Sequence, residues 1–118
     1  MILILSMFLS MGWAQTGVHS NGLKAGEKAD LARGKRAYTA VCIQCHNRDP
    51  NVKGALGPEM IDAPYEVMLH KVTTGAYPNP LPKGFVPKRK TKAMRKLPNA
   101  VKDVPHIWAW VQSVKKKK

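Results

Sequence analysis

Cys42 and Cys45 stand two residues apart in the stretch AVCIQCHNRD, with His46 directly after the second, and they are the two cysteines of the 118-residue chain. Several chemistries use thiols this close together. A disulfide across two intervening residues closes almost no loop and staples nothing. A thioredoxin-like pair expects a strand before it and alternating α/β structure after it. A structural zinc site needs a full set of ligands, normally with a second, separated pair, and a histidine adjacent to a cysteine does not supply one. The pattern C-x-x-C-H favours c-type haem attachment over these alternatives. Two thiols at this spacing can form thioethers to the vinyl groups on one edge of a haem, and the next residue then lies where its imidazole reaches the iron. Cys42, Cys45 and His46 act as one device.

A chain of this length is expected to form one domain with a small core, which a staple or a cofactor would help to stabilise. Residues 1–14, MILILSMFLSMGWA, hold no charge, and Gly12 and Ala14 fit the small-residue pattern of a secretory cleavage site. No Lys or Arg precedes the apolar run. Its length falls short of the roughly 20 residues that span a bilayer, so removal is expected rather than an uncleaved anchor. The division that follows is a signal peptide over 1–14, an N-terminal extension over 15–28, one domain over 29–114 and a basic tail over 115–118. The mature protein is expected to be periplasmic or otherwise exported, soluble, monomeric and without stable membrane insertion.

The formal charge of +13 suggests a nucleic acid, an anionic membrane or an acidic protein as partner. Export argues against nucleic acid. The charge is unevenly spread: residues 1–82 carry eight basic and six acidic residues, whereas 83–102 carry eight basic residues and no acid. The lysines of 115–118 are expected to be a frayed, solvated end.

The elements that must position the cysteines and the histidine are helices. Over residues 30–40, Leu31, Gly34, Tyr38 and Val41 recur at helical spacing. Gly34 inside that helix costs about 1 kcal/mol relative to alanine, which invites a packing reason. A second helix opens at Pro64 and ends at Gly75, with Tyr65, Met68, Leu69 and Val72 as its stripe. A third follows Asp103, a candidate N-cap, with Ile107, Trp110, Val111 and Val114 on its buried face. Between Gly75 and Ala100 the chain holds five of its nine prolines, a long loop that something must anchor. No internal repeat is visible and strand-like alternation is weak. The fold class is all-α.

The chain resembles the class I c-type cytochromes over most of residues 29–114. The marks are Gly34 and Tyr38 before CIQCH, the pair Gly57 and Pro58, a methionine in a late loop and an aromatic in the last helix. The resemblance implies a small cytochrome c-like fold of about three helices around one covalent haem c, with a long Pro-rich ligand loop. It implies that Gly34 lets the first and last helices cross closely, with Tyr38 and Trp110 packed at the crossing. It implies that the Pro58 carbonyl takes a hydrogen bond from the second nitrogen of His46, which orients the ring and raises its basicity.

The same resemblance makes Met94 the sixth iron ligand, although its proline, Pro98, stands four residues on rather than adjacent. Met60, close after Pro58, and Met68, on the stripe of the second helix, are the other methionines; His19, His70 and His106 are the bis-histidine alternatives, with His70 and His106 expected at the surface. Met94 would also anchor the long loop. Ligation by His46 and Met94 implies an electron carrier rather than an enzyme, because a thioether raises the potential and two protein ligands leave no position for a substrate. The expected partners are acidic redox proteins: an oxidase, a reductase or a dehydrogenase. A peroxidase-like enzyme with a displaceable sixth ligand, or a cytochrome subunit of a larger complex, stays open at this point.

Overall fold

Asp30 starts the first helix because its carboxylate accepts the Arg33 N–H, at 3.0 Å, one of the donors that a helix start leaves unpaired. That hydrogen bond holds the Asp30 carboxyl below its ordinary range. The computed structural model describes residues 22–24, 26–89 and 93–117. Over these the chain forms α1 (Leu31–Val41), α2 (Tyr65–Thr74) and α3 (Val104–Ser113), with 3-10 turns at Cys42–Gln44 and Pro98–Asp103 and no strand among the described residues. The all-α expectation holds. The signal-peptide reading of 1–14, and His19, Lys90 and Lys92, lie outside the described residues.

α1 and α3 cross at Gly34, where a Cβ would run into the backbone carbonyl oxygen of His106. Tyr38 and Trp110 pack beside the crossing with ring centroids 5.2 Å apart, tilted by 49°. The Tyr38 hydroxyl donates to the Asn47 carbonyl, and burial pushes its acidity further out of the titratable range. Two polar contacts join the N-terminal ends of the two helices. Asp30 N–H donates to His106 Nδ1 at 2.9 Å, and Arg33 Nε meets Asp103 Oδ1 at 2.8 Å.

Three expectations are corrected here. His106 is not a surface residue: it is 4% exposed, on the face of α3 that meets α1. Asp103 occupies the N-cap position without capping, because its carboxylate is taken by Arg33. The buried face of α3 is Val104, His106, Ile107 and Val111, while Val114 at the helix end is 36% exposed and Leu31 on α1 is 45% exposed. Tyr38, Val104, Ile107 and Val111 are the largest fully buried side chains. Burial of each such apolar side chain contributes about 1.5–3 kcal/mol, an upper estimate for an extended unfolded chain.

α2 begins after Pro64 and stops at Gly75, which sits in the left-handed region at φ 79° and donates its N–H to Lys71 O at 2.8 Å. It buries Val67, Met68 and Val72. Tyr65 and Leu69 are half-buried, so Val67 takes the place the periodicity assigned to them. From the N-terminal extension Leu23 is buried and Gly22 lies directly on the Tyr65 hydroxyl.

The Pro-rich loop is anchored at several points rather than one. Met94 N–H donates to Gly75 O at 2.8 Å and Leu97 N–H to Val72 O at 2.9 Å, which pins its end to α2. Tyr77 stacks on Phe85 at 5.9 Å, under Lys71 Nζ at 4.1 Å from the Tyr77 ring. Lys88 Nζ lies 2.6 Å from both Glu59 and Asp62.

Lys115 and Lys116, at the start of the basic tail, are tied to the fold rather than frayed. Lys116 N–H donates to Asn51 Oδ1 at 2.8 Å while Asn51 Nδ2 donates to Val114 O at 3.0 Å. Lys115 pairs with Asp62 at 3.3 Å and Lys116 with Asp49 at 3.2 Å. The local sequence carries no sign of these partners, which come from 53 or more positions away.

Candidate functional site

Cys42 is the first residue of the 3-10 turn that follows α1, so the C-x-x-C-H run folds back on itself. Cys45 N–H and His46 N–H both donate to Cys42 O, at 3.3 and 2.9 Å. Both cysteines are free thiols. Burial pushes the Cys42 thiol up to about 12, so it stays protonated at neutral pH. That is the opposite of the electropositive, thiolate-bearing cysteine of a thioredoxin-like pair.

His46 is 9% exposed and its Nδ1 donates to the Pro58 carbonyl at 2.9 Å. With the proton on Nδ1, Nε2 carries the lone pair of the neutral ring. Burial pulls the imidazole below its ordinary range, with the positive charges of Lys71 and Arg89 acting the same way and the Pro58 hydrogen bond opposing them. The ring is therefore neutral at pH 7, the form that ligates a metal.

Gly57 makes this arrangement possible. A Cβ there would overlap the His46 ring, and one at Gly54 would meet Cys45 O and the His46 backbone. The glycine loop is sewn to the turn it covers. Leu56 N–H and Gly57 N–H both donate to Cys45 O, at 3.2 and 2.8 Å, and Gly54 N–H donates to Gly57 O at 2.9 Å.

A cavity of about 310 Å³ opens beside this turn. Its volume falls at the lower end of small-molecule and cofactor sites. Cys42, Cys45, His46, Pro58 and Met94 all line it, so the five residues expected to hold a cofactor come to one place. The rest of the wall is mainly apolar, from Val67, Met68 and Val72 of α2 and Ile107 of α3; Lys71, Lys88 and Arg95 bring positive charge and Glu59 and Asp62 negative charge. Met60 and Met68 also line the cavity. Met68 is 3% exposed and belongs to the central core cluster, whereas Met60 and Met94 are partly buried against it.

Of the histidine alternatives among the described residues, neither His70 nor His106 lines the cavity. His106 is held in the α1–α3 crossing by Asp30, and His70 Nδ1 lies 2.9 Å from Ala76 O at the end of α2. Among the described residues no group of three or more His, Cys, Asp or Glu is placed to hold a metal ion, so the donors for a structural zinc are not assembled. The donor set that is assembled fits the haem implied by the sequence: two thiols and an imidazole lone pair from one turn, a thioether from another loop, and an apolar surround.

Arg89 escaped the sequence reading except as one charge among many. Its Nη2 donates to Gly54 O at 2.7 Å and lies 3.4 Å from Gly57 O. A long-range contact from an irregular loop leaves no periodic or spacing signal. Gly54 carried a faint one, as a second glycine shortly before Gly57. No protein-family model, curated protein or solved structure matches the chain.

Proposed function

We propose that the chain is a small class I c-type cytochrome that carries single electrons between redox partners. The observation that supports this best is the His46–Pro58 hydrogen bond beside Cys42 and Cys45 on the wall of one apolar cavity. It gives the C-x-x-C-H run a neutral imidazole with a fixed tautomer and a free lone pair. Cys42 and Cys45 would hold haem c covalently, and His46 and Met94 would hold its iron. The bound group supplies a one-electron ferric/ferrous couple.

The protein residues supply attachment, orientation and exclusion of water. Pro58 and Gly57 set the plane of the imidazole. Val67, Met68, Val72 and Ile107 provide an apolar wall, which lowers the local dielectric and disfavours the extra charge of the ferric state. Met94 is tied to Gly75 through its own backbone N–H, so its thioether comes from a fixed point of the loop rather than a free one. Two protein ligands leave no site for a substrate, which makes this a carrier and not an enzyme. Residues 1–14 support an exported, periplasmic setting, and the excess of Lys and Arg in 83–102 supports an acidic redox partner.

Acid-acetone extraction of the purified protein, followed by denaturing electrophoresis and haem staining, tests the proposal. Stain that stays with the chain, and is lost in Cys42→Ala with Cys45→Ala, is the expected result. Haem released into the solvent would overturn it.

A further inference from the structure

The loop 54–58 is held from two sides. Its N–H groups at Leu56 and Gly57 point to Cys45 O, within the turn that ends in His46. Its Gly54 carbonyl accepts from Nη2 of Arg89 at 2.7 Å, and its Gly57 carbonyl, which also takes the Gly54 N–H at 2.9 Å, lies 3.4 Å from the same nitrogen. The next residue is Pro58, whose carbonyl orients His46. Arg89 itself belongs to the Pro-rich loop, five positions before Met94.

We propose that Arg89 is a positioning residue that couples the two site-forming loops, holding the Pro58 carbonyl in register with His46 from the loop that carries Met94. The reading rests on the haem proposal for its purpose, but its geometry belongs to the chain alone. A cation bonded to neutral carbonyls is a charge-assisted contact, stronger than a neutral hydrogen bond. Both contacts come from the one nitrogen, Nη2, whose direction is fixed by the planar guanidinium. The neighbouring cation acts elsewhere. Lys88 is engaged by Glu59 and Asp62, which tie down the loop without touching the carbonyls beside His46. Arg89 therefore acts on the histidine side of the site, and Lys88 on the loop as a whole.

Hydrogen exchange of the full chain as purified, followed residue by residue by NMR of the diamagnetic protein, tests this. Arg89→Gln is expected to speed exchange of the Leu56 and Gly57 amides and of the His46 ring Nδ1–H by about tenfold, the loss of one hydrogen bond from a charged donor. Amides of α1 and α3, such as Tyr38 and Val111, are expected to stay at their original rates. Unchanged exchange at Leu56, Gly57 and His46 would overturn the proposal. An equal rise in the helices would also overturn it, since that is general destabilisation. Should Arg89→Gln not fold, Arg89→Met, which keeps much of the apolar stem and removes the donor, gives the same comparison, and the same two results would overturn the proposal. Failure of the haem proposal appears separately, as a chain without haem stain, and leaves the exchange comparison intact.

Discussion

Gly34 lies so close to the carbonyl of His106 that no side chain fits between α1 and α3. Adding a methyl group there forces one helix off the other, and the Tyr38–Trp110 contact and the Asp30–His106 hydrogen bond move with it. Gly34→Ala should therefore destabilise the fold by about 2 kcal/mol or more, even though alanine is the better helix former by about 1 kcal/mol. Denaturant unfolding measures the difference, and a stabilised variant would contradict the close crossing.

Met94, Met60 and Met68 all face the cavity, so substitution has to separate them. Met94→Ala should abolish the sulfur-to-iron charge-transfer band of the ferric protein and lower its reduction potential. Met60→Ala and Met68→Ala should keep the band, with Met68→Ala losing about 2–5 kcal/mol of stability because its side chain is core. Absorbance, potentiometry and thermal melts check the set. Retention of the band in Met94→Ala would sink the ligand assignment.

Lys88 should matter most at neutral pH. Its hydrogen bonds hold Glu59 below its ordinary 4.5 and Asp62 below its ordinary 3.8. A carboxyl depressed in the folded state contributes stability above its ordinary value and loses it as the pH falls through the folded one. The pairs are about a third exposed and screened by solvent, so each contributes only about 0.5 kcal/mol. Lys88→Gln should be less stable than the parent at pH 7, and the gap should close as the pH drops below 4.5 and then 3.8. Paired melts across that range check it; a constant gap would mean that the ion pairs are not the cause.

Electron transfer to an acidic partner should slow as salt rises, because steering acts over a Debye length that shrinks from about 10 Å at 0.1 M to about 3 Å at 1 M. The structure narrows which charges are available. Lys88 and Arg89 are engaged within the fold, whereas Lys83 and Lys96 are exposed. Lys83→Glu with Lys96→Glu should slow the partner reaction without changing the haem spectrum, and Lys117→Glu should do less. Stopped-flow rates over an ionic-strength series decide it, and rates indifferent to both salt and loop charge would exclude a docking role.

The parts of the fold that were legible from sequence are those whose causes are local. The start of α1 near Asp30 follows from helical spacing, Pro64 and Gly75 bracket α2, and C-x-x-C-H is a spacing within one turn. Gly34, Tyr38 and Trp110 were expected together at a helix crossing, and α1 and α3 do meet there, with His106 as the unforeseen partner of Gly34. What could not be read depends on partners distant in sequence. His106 looked like a solvated first-turn residue until α1 covered it. Lys88, Arg89 and Lys116 looked like spare charge until Glu59, the Gly54 carbonyl and Asp49 reached them. Leu31 and Val114 fit their helical stripes but stand at helix ends, where the partner helix no longer covers them.

The crossing of α1 with α3 also sets an order of events in time. Asp30 reaches His106 across 76 positions and Arg33 reaches Asp103 across 70, so the first helix waits for the last before either is satisfied. Closing so long a span is slow compared with forming a helix. During synthesis from the N-terminus, α1 emerges long before its partner. Cys42 belongs to the same core cluster as Val104 and Ile107, so its burial on that side is completed only when α3 packs onto α1, while its other side still borders the cavity.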